Sequence, residues 1–271
     1  MSLEKTIGVI KFYISENDGF KIMTFIGHKH MNLPKAIALT CSALIAVALS
    51  GNGFSVLGAQ TQPANKTFGD WCRTKASLSP EARHTVEVLL KEAGTTDCNA
   101  ANQKLSSLTQ LTLDNKKISD ITPLKSLTKL TMLGLNSNEI SDVKPLQTLT
   151  NLIALSLGKN KISDIKPLGS LNKLISLALT NNKISDITPL KSLINLNQLF
   201  LDNNQITDIT PLQSLTKLNV LFISGNKISN TKPLQSLTKL TNIFLGKNPI
   251  TPQICPVKPE SICNWQEVMV F

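Results

Sequence analysis

Five aspartates recur at a fixed step. Asp120, Asp142, Asp164, Asp186 and Asp208 stand 22 residues apart, each after Ser or Thr and before Ile or Val. A row of carboxylates suggests cation binding, but the DxDG-type spacing of calcium loops is missing. Each Asp is expected instead to accept hydrogen bonds from backbone amides of its own turn. Cys72, Cys98, Cys255 and Cys263 follow residue 60 with no CxxC and no Cys/His cluster, so they read as disulfides and not as metal ligands. No metal and no cofactor is expected. His84 is the only histidine past residue 59, which excludes a Ser-His-Asp arrangement within the repeats. GxGxxG, P-loop, HExxH and GxSxG motifs are all absent, and the chain is not read as an enzyme.

A second column keeps the same step. The middle residue of successive LxL triplets is Thr112, Gly134, Ser156, Ala178, Phe200, Phe222 and Phe244. In a strand this residue faces away from its leucine neighbours, so Leu199 and Leu201 go inward and Phe200 outward. Three Phe in register form an apolar stripe roughly 10 Å long on a surface that normally meets water. Gln198, Val220 and Asn242 flank it on one side, and Asp202, Ser224 and Gly246 on the other. Stacked rings could simply strengthen cross-strand pairing. The preferred reading is a hydrophobic anchor for a partner, with polar neighbours giving specificity. Its contact set is Phe200, Phe222, Phe244, Gln198, Val220, Asn242 and Asp202.

The elements that position these columns follow from the period. Pro123, Pro145, Pro167, Pro189, Pro211 and Pro233 keep the 22-residue step, as do Ile118 to Ile250 and Leu108 to Leu240. One unit, residues 127–148, reads LTKLTMLGLNSNEISDVKPLQT. A lone coil cannot bury its leucines, whereas stacked coils share one core and a parallel sheet with strands about 4.8 Å apart. Asn138, Asn160, Asn182, Asn204, Asn226 and Asn248 sit where the chain turns inward. Their amides are expected to satisfy backbone groups that an apolar residue would leave buried and unpaired. Pro fixes φ and removes a donor, which suits the start of a short 3₁₀ turn on the outer wall.

The unit L-x-x-L-x-x-L-x-x-L-x-L-x-x-N-x-I-S/T-D-I-x-P-L resembles the 22-residue leucine-rich repeats of internalin-like bacterial proteins. Residues 190–212, LKSLINLNQLFLDNNQITDITPL, match it almost letter for letter. The likeness covers about residues 105–252. It implies an α/β repeat solenoid with a parallel sheet on its concave face, 3₁₀ turns on its convex face, and protein partners bound on the concave face. The sequence departs from the family in three ways. Lys116 takes the ladder position in the first unit, and neither a cell-wall sorting motif after Phe271 nor a second domain after the repeats is expected. Host-cell adhesion is therefore not expected to carry over.

The flanks read as caps over residues 60–104 and 253–271. Ser79 and Pro80 start a helix over 80–93 that Gly94 ends. Cys72–Cys98 is expected to staple this cap, with Trp71 and Phe68 covering the first coil, and Cys255 and Cys263 to close a local loop. End coils need such covers to stay soluble. Further upstream, Lys35 and the apolar run 36–49 have the anatomy of a secretory signal over 31–59, too short to span a bilayer comfortably. An export address of this kind predicts a periplasmic or extracellular protein with no transmembrane span after its removal. Residues 1–30 show no repeat and are given no fold role; an over-called start, with Met23 or Met31 as first residue, would explain them.

The net charge of +10 comes from lysines spread one or two per repeat, without a basic run or interleaved aromatics. That distribution is a solubilising exterior and not a nucleic-acid site. Aromatics make up only 4% of the chain, a bias that fits a repeat. A protein partner is the leading expectation. An exported carbohydrate- or envelope-binding module, and a cytosolic regulatory solenoid resembling the 22-residue-repeat phosphatase regulators, are the alternatives.

Overall fold

The computed structural model describes residues 66–266 and two strands near the start of the chain. Those strands, β1 (Val9–Glu16) and β2 (Gly19–Ile26), pair as an antiparallel hairpin within the segment given no fold role above. The hairpin and the repeat array belong to separate compact units. The apolar run 36–49 and the expected cleavage point lie outside the described residues.

Seven three-residue strands make the array: β3 (Gln110–Thr112), β4 (Met132–Gly134), β5 (Ala154–Ser156), β6 (Ser176–Ala178), β7 (Gln198–Phe200), β8 (Val220–Phe222) and β9 (Asn242–Phe244). With a short eighth strand, β10 (Cys263–Asn264), they form one parallel sheet in chain order. The register advances by one repeat per strand, so Leu111, Leu133, Leu155, Leu177, Leu199, Leu221 and Ile243 stand side by side. All seven are buried, as are Leu113 to Leu245 at the next inward position. Each coil crosses the outer wall through a 3₁₀ turn that begins with a proline dipeptide, such as Thr188–Ser192 or Thr210–Ser214. The chain is thus an open leucine-rich-repeat solenoid.

Polar side chains tie one coil to the next. Asn204 donates from Nδ2 to the carbonyls of Leu179 and Leu201, both at 3.0 Å, while its Oδ1 accepts from the Ile184 amide at 3.0 Å. Asn138, Asn160, Asn182, Asn226 and Asn248 make the same bonds in their coils. On the outer wall a hydroxyl column does similar work: Ser192 donates to Gly169 O at 2.8 Å and Ser214 to Lys191 O at 2.9 Å. Ser126 is the first in this column and its hydroxyl is buried without a partner. The residue 23 positions earlier, Gln103, belongs to a cap helix and not to a coil, which explains the orphan.

The N-terminal cap has three helices. In α1 (Phe68–Arg73) Thr67 and Asp70 form a capping box, and in α3 (Cys98–Ser107) Asp97 accepts from Ala100 N at 2.7 Å. Between them α2 (Pro80–Ala93) has Ser79 accepting from Ala82 N at 3.1 Å and Gly94 in the left-handed region at φ 68°. Val86 and Leu89 bury one face of α2, and Phe68 is fully buried beside them. The Cys72–Cys98 disulfide links α1 to α3. The cap contacts the first coil where the ladder Asn is missing. Where Lys116 stands in its place, His84 Nε2 lies 2.7 Å from Lys116 O and Glu92 lies 3.5 Å from Lys116 Nζ. One turn away, Thr85 donates to Asp120 O at 2.6 Å.

At the other end Cys255–Cys263 closes a loop that lays β10 against β9. Gly246 permits this closure. A Cβ there would lie 2.6 Å from Gln266 O and 2.7 Å from Trp265 O, closer than any side chain tolerates. Trp265 packs on the last coil, so both ends of the leucine core are covered.

Candidate functional site

The columns read from the sequence meet on the concave sheet face. Register places Ala178 beside Phe200, Phe200 beside Phe222, and Phe222 beside Phe244. All three rings are partly exposed, while Leu199, Leu221 and Ile243 between them are fully buried. The rings of Phe200 and Phe222 meet edge-on, with centroids 5.1 Å apart and planes at 74°. Phe222 and Phe244 lie closer, at 4.2 Å and 52°. Edge-to-face contact leaves ring faces and rims open along the stripe, which suits a ligand that must displace water from an apolar surface.

The flanking residues divide. Gln198 and Val220 are half-exposed and Asn242 is exposed beside the stripe. Ser176 donates to Gln198 Oε1 at 3.4 Å, which turns that amide along the sheet. Asp202 departs from the contact set: it is only 3% exposed, and its Oδ1 accepts from the Ser224 amide at 3.0 Å. It belongs to a ladder in which Asp114 accepts from Asn136 N at 2.7 Å and Asn136 from Gly158 N at 2.8 Å. Burial pushes the Asp202 carboxyl up to about 6, against the opposing pull of the Ser224 amide. Ser224 Oγ beside it is buried without a partner.

Two residues outside the contact set also reach the surface. Ile153 and Ile175 occupy one column just before β5 and β6 and are 41% and 40% exposed. Their signal was in the sequence: this column reads Thr109, Thr131, Ile153, Ile175, Asn197, Asn219 and Thr241, polar except at these two.

The aspartate column lies on the outer wall and is committed to backbone. Asp142, Asp164, Asp186 and Asp208 each accept from the amide two residues on at 2.8 Å. The Thr188 hydroxyl and amide hold the Asp186 carboxyl below its ordinary value, and Thr210 does the same for Asp208. Among the described residues no three His, Cys, Asp or Glu side chains are grouped to hold a metal ion, and no helix is long and apolar enough to cross a membrane.

Comparison with known proteins agrees with this architecture. Residues 128–170, 150–192 and 172–214 match the family described as Leucine Rich repeats (2 copies). No curated protein matches the sequence. Among solved structures, an internalin (inlF) from Listeria monocytogenes is 32% identical with a TM-score of 0.56, over 65% of this chain and 59% of its own. An internalin C2 (inlC2) from the same organism is 28% identical with a TM-score of 0.60, over 70% of this chain and 93% of its own. A leucine-rich-repeat protein of Leptospira interrogans is 26% identical with a TM-score of 0.51, over 56% and 46%. The chain therefore spans less than two thirds of the first and third of these. Repeat and sheet together give this chain the leucine-rich-repeat fold, and its repeats are similar to those of the Listeria internalins.

Proposed function

We infer that this protein is an exported binding module that captures a protein partner on its concave sheet face. The observation that carries the reading is the stripe of Phe200, Phe222 and Phe244. These are three partly exposed aromatic rings held in register above a fully buried leucine row. Aromatic side chains on a rigid sheet lose little entropy on binding and serve as anchors at protein interfaces. Gln198, Val220 and Asn242 are the flanking contacts, and Asp202 supports the sheet from beneath.

Export is supported by the signal-like segment 31–59 and by two disulfides, which persist in oxidising compartments and are rare in the cytosol. The same disulfides weigh against the cytosolic phosphatase-regulator reading. A role in catalysis draws no support from the concave face, whose carboxylates, Asp114 and Asp202, are bonded to the amides of Asn136 and Ser224.

The test is partner capture from an envelope or culture-supernatant fraction, by cross-linking pull-down, with Phe200→Ser, Phe222→Ser and Phe244→Ser combined as the control. The variant is expected to lose capture while its melting temperature stays close to that of the unaltered protein. Undiminished capture by the variant overturns the reading.

A further inference from the structure

The charge of the coils that carry Phe222 and Phe244 is one-sided. Residues 209–259 contain six lysines and no Asp, Glu or Arg, and this stretch includes Phe222 and Phe244. The coils before it are mixed: Glu139, Asp142, Asp164 and Asp186 lie among their lysines, and Glu139 pairs with Lys161 at 2.8 Å.

The loss of acid is not a requirement of the fold. On the outer wall of the same coils the aspartate column ends at Asp208, and its next member is Asn230, so these coils lose negative charge on that side as well. Asn230 Oδ1 accepts from the Lys232 amide at 3.0 Å, the same turn bond that Asp208 makes to Thr210 at 2.8 Å. The turn is kept and only the negative charge is gone. The one carboxylate next to the stripe, Asp202, is buried beneath the sheet surface and bonded to the Ser224 amide. Lys217 and Lys239 precede β8 and β9 by three residues, and Lys227 follows β8 by five; all three are exposed.

We propose that the partner of this face is an acidic polypeptide that presents an apolar or aromatic side chain among carboxylates. The proposal rests on the concave-face reading above and adds the chemistry of the partner. An apolar stripe on coils whose charges are all cations repels basic surfaces and steers acidic ones, so that charge sets partner choice and association rate. A flat bilayer cannot follow the inside of an arc, and a sulfated glycan offers the rings only the C–H faces of its sugars, set among strongly hydrated sulfates. The acidic protein satisfies both halves of the surface.

The experiment uses the whole chain and labelled synthetic peptides: one phenylalanine flanked by glutamates, and the same peptide with glutamines or lysines in their place. Binding is read by fluorescence anisotropy across a salt series, with a heparin fragment and phosphatidylserine vesicles as competitors. At low salt the glutamate peptide is expected to bind roughly tenfold more tightly than the glutamine peptide, and added salt to erase the difference. The combined variant Lys217→Gln, Lys227→Gln and Lys239→Gln should lose most of that preference with an unchanged circular dichroism spectrum. Equal binding of the glutamate and glutamine peptides, both lost in the Phe→Ser variant, overturns the acidic assignment and leaves the concave-face reading standing. A glutamate preference that survives in the Phe→Ser variant, a stronger preference for heparin or vesicles, or no binding of any peptide overturns the proposal.

Discussion

Phe222 and Phe244 sit 22 residues apart in the chain, yet their ring centroids are 4.2 Å apart and their planes inclined by 52°. Backbone register brings them together, since β8 and β9 pair Phe222 with Phe244 directly. Their contact is worth about 0.5–1.5 kcal/mol beyond burial, small beside the buried row below it. Phe222→Ser is therefore expected to cost no more than about 2 kcal/mol in a urea titration, whereas Leu221→Ala one residue away should cost about 2–5 kcal/mol. Comparable losses for the two variants would show that the ring is core and not surface.

The asparagine ladder makes a sharper stability prediction. Asn204→Leu keeps the volume but removes three donated bonds and one accepted bond, leaving Leu179 O, Leu201 O, Asp202 O and Ile184 N without that partner. Each orphaned group costs about 1–3 kcal/mol, so the variant should be destabilised by roughly 3 kcal/mol or more. Asn248, which is only half-buried at the end of the column, should lose less on the same change. Urea midpoints of the two variants check the order.

Acid and neutral pH should act oppositely on two groups of aspartates. The Asp202 carboxyl is raised from 3.8 to about 6 in the folded protein. Its protonated form is thus favoured by folding: the stabilisation is complete below about 3.8 and disappears as pH rises through about 6. Asp186 and Asp208 are lowered, so their contributions are present above the ordinary carboxylate range and fade as pH falls through it. Asp202→Asn should therefore raise stability at neutral pH, by a few kcal/mol at most, and flatten the curve between these two values. An unaltered pH profile of the melting temperature contradicts this assignment.

The N-terminal disulfide spans 26 residues and joins two cap helices. Replacing Cys72 and Cys98 by Ser should cost about 3 kcal/mol. Since Thr85 and His84 of the same cap contact the first coil, the loss should appear first as faster amide exchange in β3 and later, if at all, in β7. Uniform acceleration along the array would contradict this order.

Much of this architecture was legible because a fixed step turns one residue type into a column. Leu133 and Leu135 inside, Gly134 outside, and Asn138 at the turn follow from period alone, and so does the alignment of Phe200 with Phe222. The reading failed where the strand stops. Asp202 lies two residues past Phe200 and would face outward if the alternation continued, but β7 ends at Phe200 and the side chain folds under the Ser224 amide. A strand of three residues is too short to carry a rule of two any further. Helices α1 and α3 were also unread, although Thr67 with Asp70, and Asp97 before Ala101 and Leu105, are start signals of the ordinary kind. Their shortness hid them, since neither shows a long apolar period.

The most direct test places a photo-cross-linking side chain at Ala178, in the same column as Phe200, or at Gln213 on the outer wall. If the concave ribbon is the binding face, irradiation in the presence of envelope proteins should give a discrete adduct from position 178 and none from position 213. Adducts from position 213 alone would contradict it.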